Sequence, residues 1–441
     1  MSATTISDYP FRNISLPWND RVDDLVSRLT MEEIKEQMSC GGRGPKGGPA
    51  PAITRLGIKP YSWNTECLRG DVDAGNATSF PQAIGLAATF SPSIVFSVAE
   101  ATGIEVRAKF NDYMKHGLYG DHRGISPVVN IMRDPSWGRN QETYGEDPIL
   151  SGMLAQSFVK GLQGNNSRFI RVNAGCKHFD RRFWRSPGCF LETLTDNSNL
   201  EKKTPTIDPS VTTTPLQSLG QLGKEFSYAP GCDSNACTKY NSAEIEKTVT
   251  GADVIFACPI LEREGHDRAD LEWPGKQLQV IQYAVKYGKG APLVVFLFNA
   301  GPMNLTWAYN NDDVSAMFEV FFPAQATGEA MGRILTSQQD GDVPAGRLPN
   351  TWPKYIDDVP LMTDYTMEGK TYRYFKGEVY YPFGFGLSYT SFEYTEMITP
   401  IRVKDGEDVS GEIVVQNSGK YDADEVRTEN RVCLSRGKCT T

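Results

Sequence analysis

Two apolar runs constrain what this chain can fold into. DVIFACPI (253–260) and PLVVFLFNAGP (292–302) are nearly continuous in Val, Ile, Leu, Phe and Ala. A strand that is apolar on both faces has to be covered on both faces, which is the situation of a parallel strand inside an α/β sheet. Helical patterns sit before and between the two runs, AEIEKTVTGA (243–252) and LQVIQYAVKYG (278–288). Strand, helix and strand in that order define an α/β unit with a parallel sheet.

The first 180 residues carry a weaker form of the same alternation. Val22, Leu25, Val26 and Leu29 recur at helical spacing. Thr30-Met31-Glu32-Glu33 reads as a capping box that opens a second helix. Ser91 is a natural N-cap, with Pro92 at the first helical position and Val95, Val98, Thr102 and Val106 as the buried stripe. PVVNIMRDP (127–135) and RFIRVNAGCKHF (168–179) are expected to be short strands that end in polar groups. Functional side chains at the C-terminal ends of strands suit a parallel α/β layout. Residues 190–225 are rich in Thr, Ser, Pro and Asn and show little periodicity, and VSGEIVVQNSG (409–419) alternates like a β-strand. No internal repeat is visible.

Composition removes several function classes. The net charge is −9 and the basic residues form no cluster, which argues against nucleic acid and anionic membranes as partners. No apolar stretch approaches 18 residues, so no membrane span is expected. The start, MSATTISDYPFRNISLPW, lacks the charged and apolar regions of a signal peptide, although sequons stand at Asn13, Asn76, Asn165 and Asn304. Of nine cysteines, Cys232 and Cys237 are spaced to close a small disulfide loop, and no Cys/His spacing matches a zinc site. His116, His122 and His266 show no ligand-like spacing and read as structural.

RDPSWGRNQETYGEDP (133–148) is dense in groups that grip polyols: Arg133, Asp134, Arg139, Glu142, Glu146 and Asp147, with Trp137 available to stack on a sugar face. Composition alone favours a solvated loop laced with ion pairs. The order of several motifs reverses that preference. PFRNISLPWNDRVDDLVSRLT, YSWNTECLRG, FPQAIGLAATF, RDPSWGRNQETYGEDP and CKHF resemble, in order, the N-terminal barrel of glycoside hydrolase family 3. EREGHDRADLEWPG, GRLPNTWP, TYRYF and PFGFGLSYTSFEY resemble its second domain, and YSWNTECLRG with EREGHDR is closer to the β-xylosidase branch than to the β-glucosidase branch.

The resemblance implies an exo-acting, retaining β-glycosidase. Its fold would be a (β/α)8 barrel, an α/β sandwich and often a fibronectin type III-like domain. Retention of configuration uses two carboxyl groups about 5–5.5 Å apart, one a nucleophile and one an acid/base. Carried over to this chain, Glu66 matches the carboxylate that holds the terminal sugar's hydroxyls, and Arg139, Lys177 and His178 match sugar-binding groups. Glu262, directly after DVIFACPI, is the acid/base candidate, with Glu264 as runner-up; a surface carboxylate beside Arg263 is the plain alternative for Glu262. No metal and no cofactor is implied. The substrate would be a small β-xyloside or oligosaccharide, with α-L-arabinosides sharing the relevant ring geometry and β-glucosides as the alternative. The family and the sequons together imply an extracellular setting. The oligomeric state is not legible.

The nucleophile is not found. The family places it in a Ser-Asp segment of a later barrel strand. In 181–242 the aspartates Asp196, Asp208 and Asp233 lie in polar, turn-like sequence, and Asp180 comes too early. A complete barrel takes about 250 residues, and from about residue 212 the sequence TTPLQSLGQLGKEFSYAPGC already resembles the second domain. The expected organisation is therefore an incomplete barrel (10–180), an irregular junction (181–211), an α/β sandwich (212–395) and a truncated fibronectin type III-like segment (396–441) whose last stretch, RTENRVCLSRGKCTT, does not continue the strand pattern. Such a chain keeps the family's sugar-binding groups and lacks one of its two catalytic carboxylates. A catalytically inactive carbohydrate-binding chain is thus the second reading.

Overall fold

A computed structural model describes residues 8–40, 50–60, 65–72, 75–116, 123–124, 126–166, 169–178, 209–223, 225–260, 267–337, 339, 341–398, 411–426, 432–434 and 438–440. Two compact units divide the chain. One gathers residues 1–78, 96–127 and 157–206, the other 79–95, 128–156 and 207–441.

In the first unit, α1 (Trp18–Arg28) and α2 (Met31–Cys40) form where the spacing places them. The capping box is present: the Glu33 amide donates to Thr30 Oγ1, and the Thr30 amide donates to a Glu33 carboxylate oxygen. Leu25 and Leu29 pack with Tyr9 and Ile58 on Phe11, Ile53 and Leu56. The other half of the α1 stripe stays in solvent, with Val22 at 47% and Val26 at 53% exposure. The helix Pro92–Lys115 starts at the Ser91 cap and buries Val95, Thr102 and Val106. Glycine sets its closest crossing, with the helix Pro148–Gln163. A Cβ on Gly103 would lie 2.6 Å from the Leu162 carbonyl oxygen, and one on Gly161 would lie 2.4 Å from that of Phe96. Both are overlaps that no side chain tolerates.

Among the described residues, strand content in this unit is smaller than the sequence suggests. RFIRVNAGCKHF yields only β2 (Asn173–Ala174), paired parallel to β1 (Arg123–Gly124).

In the second unit, PVVNIMRDP forms no named strand, although Val128 and Met132 are buried. The Met132 amide donates to the Gly145 carbonyl at 2.9 Å, a bond to a turn rather than to a ladder. The two apolar runs do form the expected sheet. β3 (Ile255–Ala257), β4 (Leu293–Leu297) and β5 (Val314–Glu319) are parallel in the order β3-β4-β5. The helices Ser242–Val249 and Gln277–Gly288 contribute Ile245, Val249, Ile281 and Ala284 to one core with Ile255, Leu293, Val295 and Trp352. The architecture is of the α/β class.

Short antiparallel pairs complete the unit: β6 (Trp352–Pro353) with β7 (Val379–Tyr381), and β8 (Phe392–Ile398) with β9 (Glu412–Asn417). Two expectations are corrected here. RTENRVCLSRGKCTT contains a ladder after all, β10 (Val432–Leu434) antiparallel to β11 (Lys438–Thr440). The aperiodic 190–225 stretch contains a helix, Pro215–Leu219, held by a capping box between Thr214 and Gln217. Its five residues are too few to show a period. Cys232 and Cys237 are joined by a disulfide.

Candidate active site

The first unit brings together two of the sugar-binding candidates. Lys177 Nζ lies 3.2 Å from Glu66 Oε1, with side-chain exposures of 8% and 22%. Neighbouring hydrogen bonds hold both ends. The Lys177 amide donates to the Pro127 carbonyl, the Cys67 amide donates to Ser126 Oγ at 3.2 Å, and Thr65 Oγ1 donates to Asp71 at 2.7 Å. A nearly buried ammonium is costly without a partner, and Glu66 supplies one. The same two groups can bind a diol, the carboxylate accepting from a hydroxyl and the ammonium donating to the neighbouring oxygen. His178 follows directly and is half-buried, while Cys176 is exposed. The motif-based reading passed over Arg69, three residues beyond Glu66, whose burial lowers its pKa. A second charged residue within TECLRG was the available signal.

In the second unit, RDPSWGRNQETYGEDP is no solvated loop. Residues 140–147 are all buried, and burial raises the Tyr144 pKa. Its carboxylates grip the protein. Asp134 Oδ1 accepts from Ser136 N and Oγ. Glu142 holds Arg139 through two bonds of 2.6 and 2.7 Å. Glu146 Oε1 accepts from Thr351 N, Thr351 Oγ1 and Tyr372 N. Asp147 accepts from Tyr372 Oη at 2.6 Å and from Arg373 at 2.8 Å. Burial pushes Glu146 up to about 7 against those bonds. Burial also acts to raise Asp147, but the bonds from Tyr372, the Leu150 amide and Arg373 outweigh it and hold the pKa below the usual value. Arg133 lies over the Tyr365 ring, 4.4 Å from its centroid.

A cavity of about 30 Å³ is lined by Arg133, Asp134, Glu146, Lys370 and Thr371, among others. Arg133 Nη1 and Thr371 Oγ1 are buried there without hydrogen-bond partners. That volume suits one or two waters and excludes a sugar ring.

Glu262 and Glu264 lie outside the described residues, as do His122, His266, Asp180, Asp196 and Asp208. Their flanks are described. The Ile260 amide donates to Gln277 Oε1 at 3.1 Å, and Gln277 Nε2 donates back to the Ile260 carbonyl at 2.7 Å. On the far side, Asp267 Oδ1 accepts from the Gly138 amide at 2.9 Å and the Arg268 amide donates to the Ser136 carbonyl at 2.8 Å. Asp233, inside the disulfide loop, accepts from Thr238 Oγ1 and the Lys239 amide just beyond it, a turn role as its sequence suggests. Among the described residues no group of three or more His, Cys, Asp or Glu could hold a metal ion.

Comparison with known proteins places the chain among the glycoside hydrolases. Residues 51–182 match the Glycosyl hydrolase family 3 N terminal domain and residues 178–389 the Glycosyl hydrolase family 3 C-terminal domain. The chain belongs to glycosyl hydrolase family 3. Its relatives include probable beta-D-xylosidase 7 of Arabidopsis thaliana, 24% identical over 619 positions that cover 89% of this chain and 78% of the relative. Xylan 1,4-beta-xylosidase of Xylanibacter ruminicola is 42% identical over 177 residues, 38% of this chain and 20% of the relative. The Arabidopsis alignment of 619 positions is longer than the chain's 441 residues, so the relative carries stretches within it that this chain lacks. In fold, the chain is similar to a GH3 exo-beta-xylosidase (XlnD), with TM-score 0.67, 20% identity and coverage of 90% of this chain and 77% of that one. Beta-glucosidase 3B from Thermotoga neapolitana gives TM-score 0.64 at 17% identity, with coverage of 90% and 87%.

Proposed function

We propose that this chain carries the sugar-binding apparatus of an exo-acting, retaining β-glycosidase of the β-xylosidase type, directed at terminal β-D-xylosyl and α-L-arabinosyl residues. The observation that carries the reading is the Glu66–Lys177 pair, a shielded carboxylate and ammonium 3.2 Å apart. The resemblance adds Arg139 and His178 as hydroxyl-binding groups, and Glu262, with Glu264 as runner-up, as the donor of the proton to the leaving oxygen. Residues 10–180 form the incomplete (β/α)8 barrel, 181–211 the junction, 212–395 the α/β sandwich and 396–441 the fibronectin type III-like piece. The names of the curated relatives support xylosides over glucosides. The chemistry needs two carboxyl groups and no cofactor. The family setting is extracellular, and among the described residues no helix is long and apolar enough to cross a membrane.

The second reading, sugar binding without turnover, rests on the missing Ser-Asp segment between 181 and 242. A double displacement without its nucleophile loses most of its rate, because the two carboxylates act as a unit. The deciding experiment incubates the purified chain with an aryl β-D-xyloside and an aryl β-D-glucoside, and measures xylose binding by calorimetry in parallel. Binding without aryl release is the outcome expected of the chain as written. Aryl release from the xyloside would show that a nucleophile is present. Neither binding nor release would overturn the proposal.

A further inference from the structure

The geometry points to Glu142 and Asp267 as positioning residues for Arg139, fixing its guanidinium and its backbone separately. This rests on the reading of Arg139 as a sugar-binding group. Glu142 is 3% exposed at its side chain and takes both Arg139 Nε and Nη2, at 2.6 and 2.7 Å. Two parallel bonds to one carboxylate set the plane of a guanidinium as well as its position. The residue before Arg139 is pinned independently, since the Gly138 amide donates to Asp267 Oδ1 and the Ser136 carbonyl accepts from the Arg268 amide. From the other side, Asn140 Nδ2 donates to the Asp134 carbonyl at 2.8 Å and closes the turn on itself. An arginine held in this way reaches a sugar hydroxyl without first losing the rotamer freedom of its long side chain.

Asp267 also has a particular place in the chain. It is the first described residue after 261–266, the segment that carries Glu262 and Glu264, and its carboxylate bonds directly to the turn that presents Arg139. Asp267 is exposed, so its bond to Gly138 acts through geometry rather than through a desolvated charge. Any acceptor of the same shape should serve, and asparagine is such an acceptor.

The test measures the dissociation constant of methyl β-D-xylopyranoside by calorimetry for the full chain and for Glu142→Gln, Asp267→Ala, Asp267→Asn and Arg139→Ala. The first two substitutions are repeated in the Arg139→Ala background, and thermal midpoints are recorded alongside. The expected result is binding weakened about tenfold in Glu142→Gln and several-fold in Asp267→Ala, with affinity restored in Asp267→Asn. Neither substitution should cost further affinity once Arg139 is alanine. Binding equal to the unsubstituted chain in both variants, or losses that add to that of Arg139→Ala, would overturn the inference while leaving the sugar-binding reading in place. Absence of binding by the unsubstituted chain would remove the reading and the inference together.

Discussion

Glu146 is the residue whose environment makes the sharpest prediction. Burial raises it from an ordinary 4.5 to about 7. Between those two pH values the folded chain holds a proton that the unfolded chain has released. Stability is therefore greatest below about 4.5 and falls as pH rises towards 7, by about 1.4 kcal/mol per pH unit and about 3 kcal/mol in all. Asp147, held below 3.8, acts at lower pH and with the opposite sign, so it does not mask the effect. Glu146→Gln keeps an acceptor for the Thr351 and Tyr372 amides and cannot ionise. Urea unfolding at pH 5 and pH 8 should show the native chain losing stability and Glu146→Gln nearly flat across that range. Equal slopes for the two proteins would rule out the assignment. Sequence alone could not have placed this residue in a core. A run as charged as RDPSWGRNQETYGEDP is buried only because Thr351, Tyr372 and Arg373 arrive from more than 200 positions away to meet it. The resemblance found the segment's importance, and the structure found that most of its charges face inward.

The helices Pro92–Lys115 and Gln277–Gly288 and the strands β3 and β4 were legible because their patterns are long or unambiguous, whereas β5 and the helix Pro148–Gln163 were not anticipated. The parallel sheet followed from two apolar runs with a helix between them, and the Ser91 and Thr30 caps followed from side-chain chemistry. The expected strand at 127–135 was not, since apolar alternation cannot reveal that Met132 spends its amide on a turn. The Gly103/Gly161 crossing of the helices Pro92–Lys115 and Pro148–Gln163 supplies a prediction with its own control. Gly161→Ala drives a methyl onto a backbone carbonyl and should lower stability by roughly 1–3 kcal/mol. Gly152→Ala, on the second of these helices, meets nothing within 4 Å and should instead raise stability by up to about 1 kcal/mol through helix propensity. Thermal unfolding of the two variants should move in opposite directions. A shared direction would mean that the crossing is looser than the structure shows.

The whole molecule leaves a notable amount of apolar surface uncovered. Trp18, Val22 and Val26 stand four residues apart on α1 and are each about half exposed or more. Such a stripe favours non-specific association. Val22→Lys with Val26→Glu should leave the unfolding midpoint within about 0.5 kcal/mol of the native chain. The same pair should reduce dye binding to exposed apolar surface and raise the concentration at which the protein clouds. A large loss of stability would show that the stripe is packed in solution. The family and its two-domain order were legible from motifs spread over the chain. The two compact units interleave in sequence, 79–95 and 128–156 grouping with 207–441, and no motif could announce that.

The Glu146 and Asp147 clamp also imposes an order on biosynthesis. Its partners lie 205, 225 and 226 residues downstream. While a ribosome makes the chain, the turn at 145–147 emerges long before Thr351, Tyr372 or Arg373 exists. For that interval its two carboxylates can only be hydrated, so the turn cannot bury itself until translation has passed Arg373. Nascent chains halted before that codon should carry this segment open to proteases and chaperones, and chains halted after it should not.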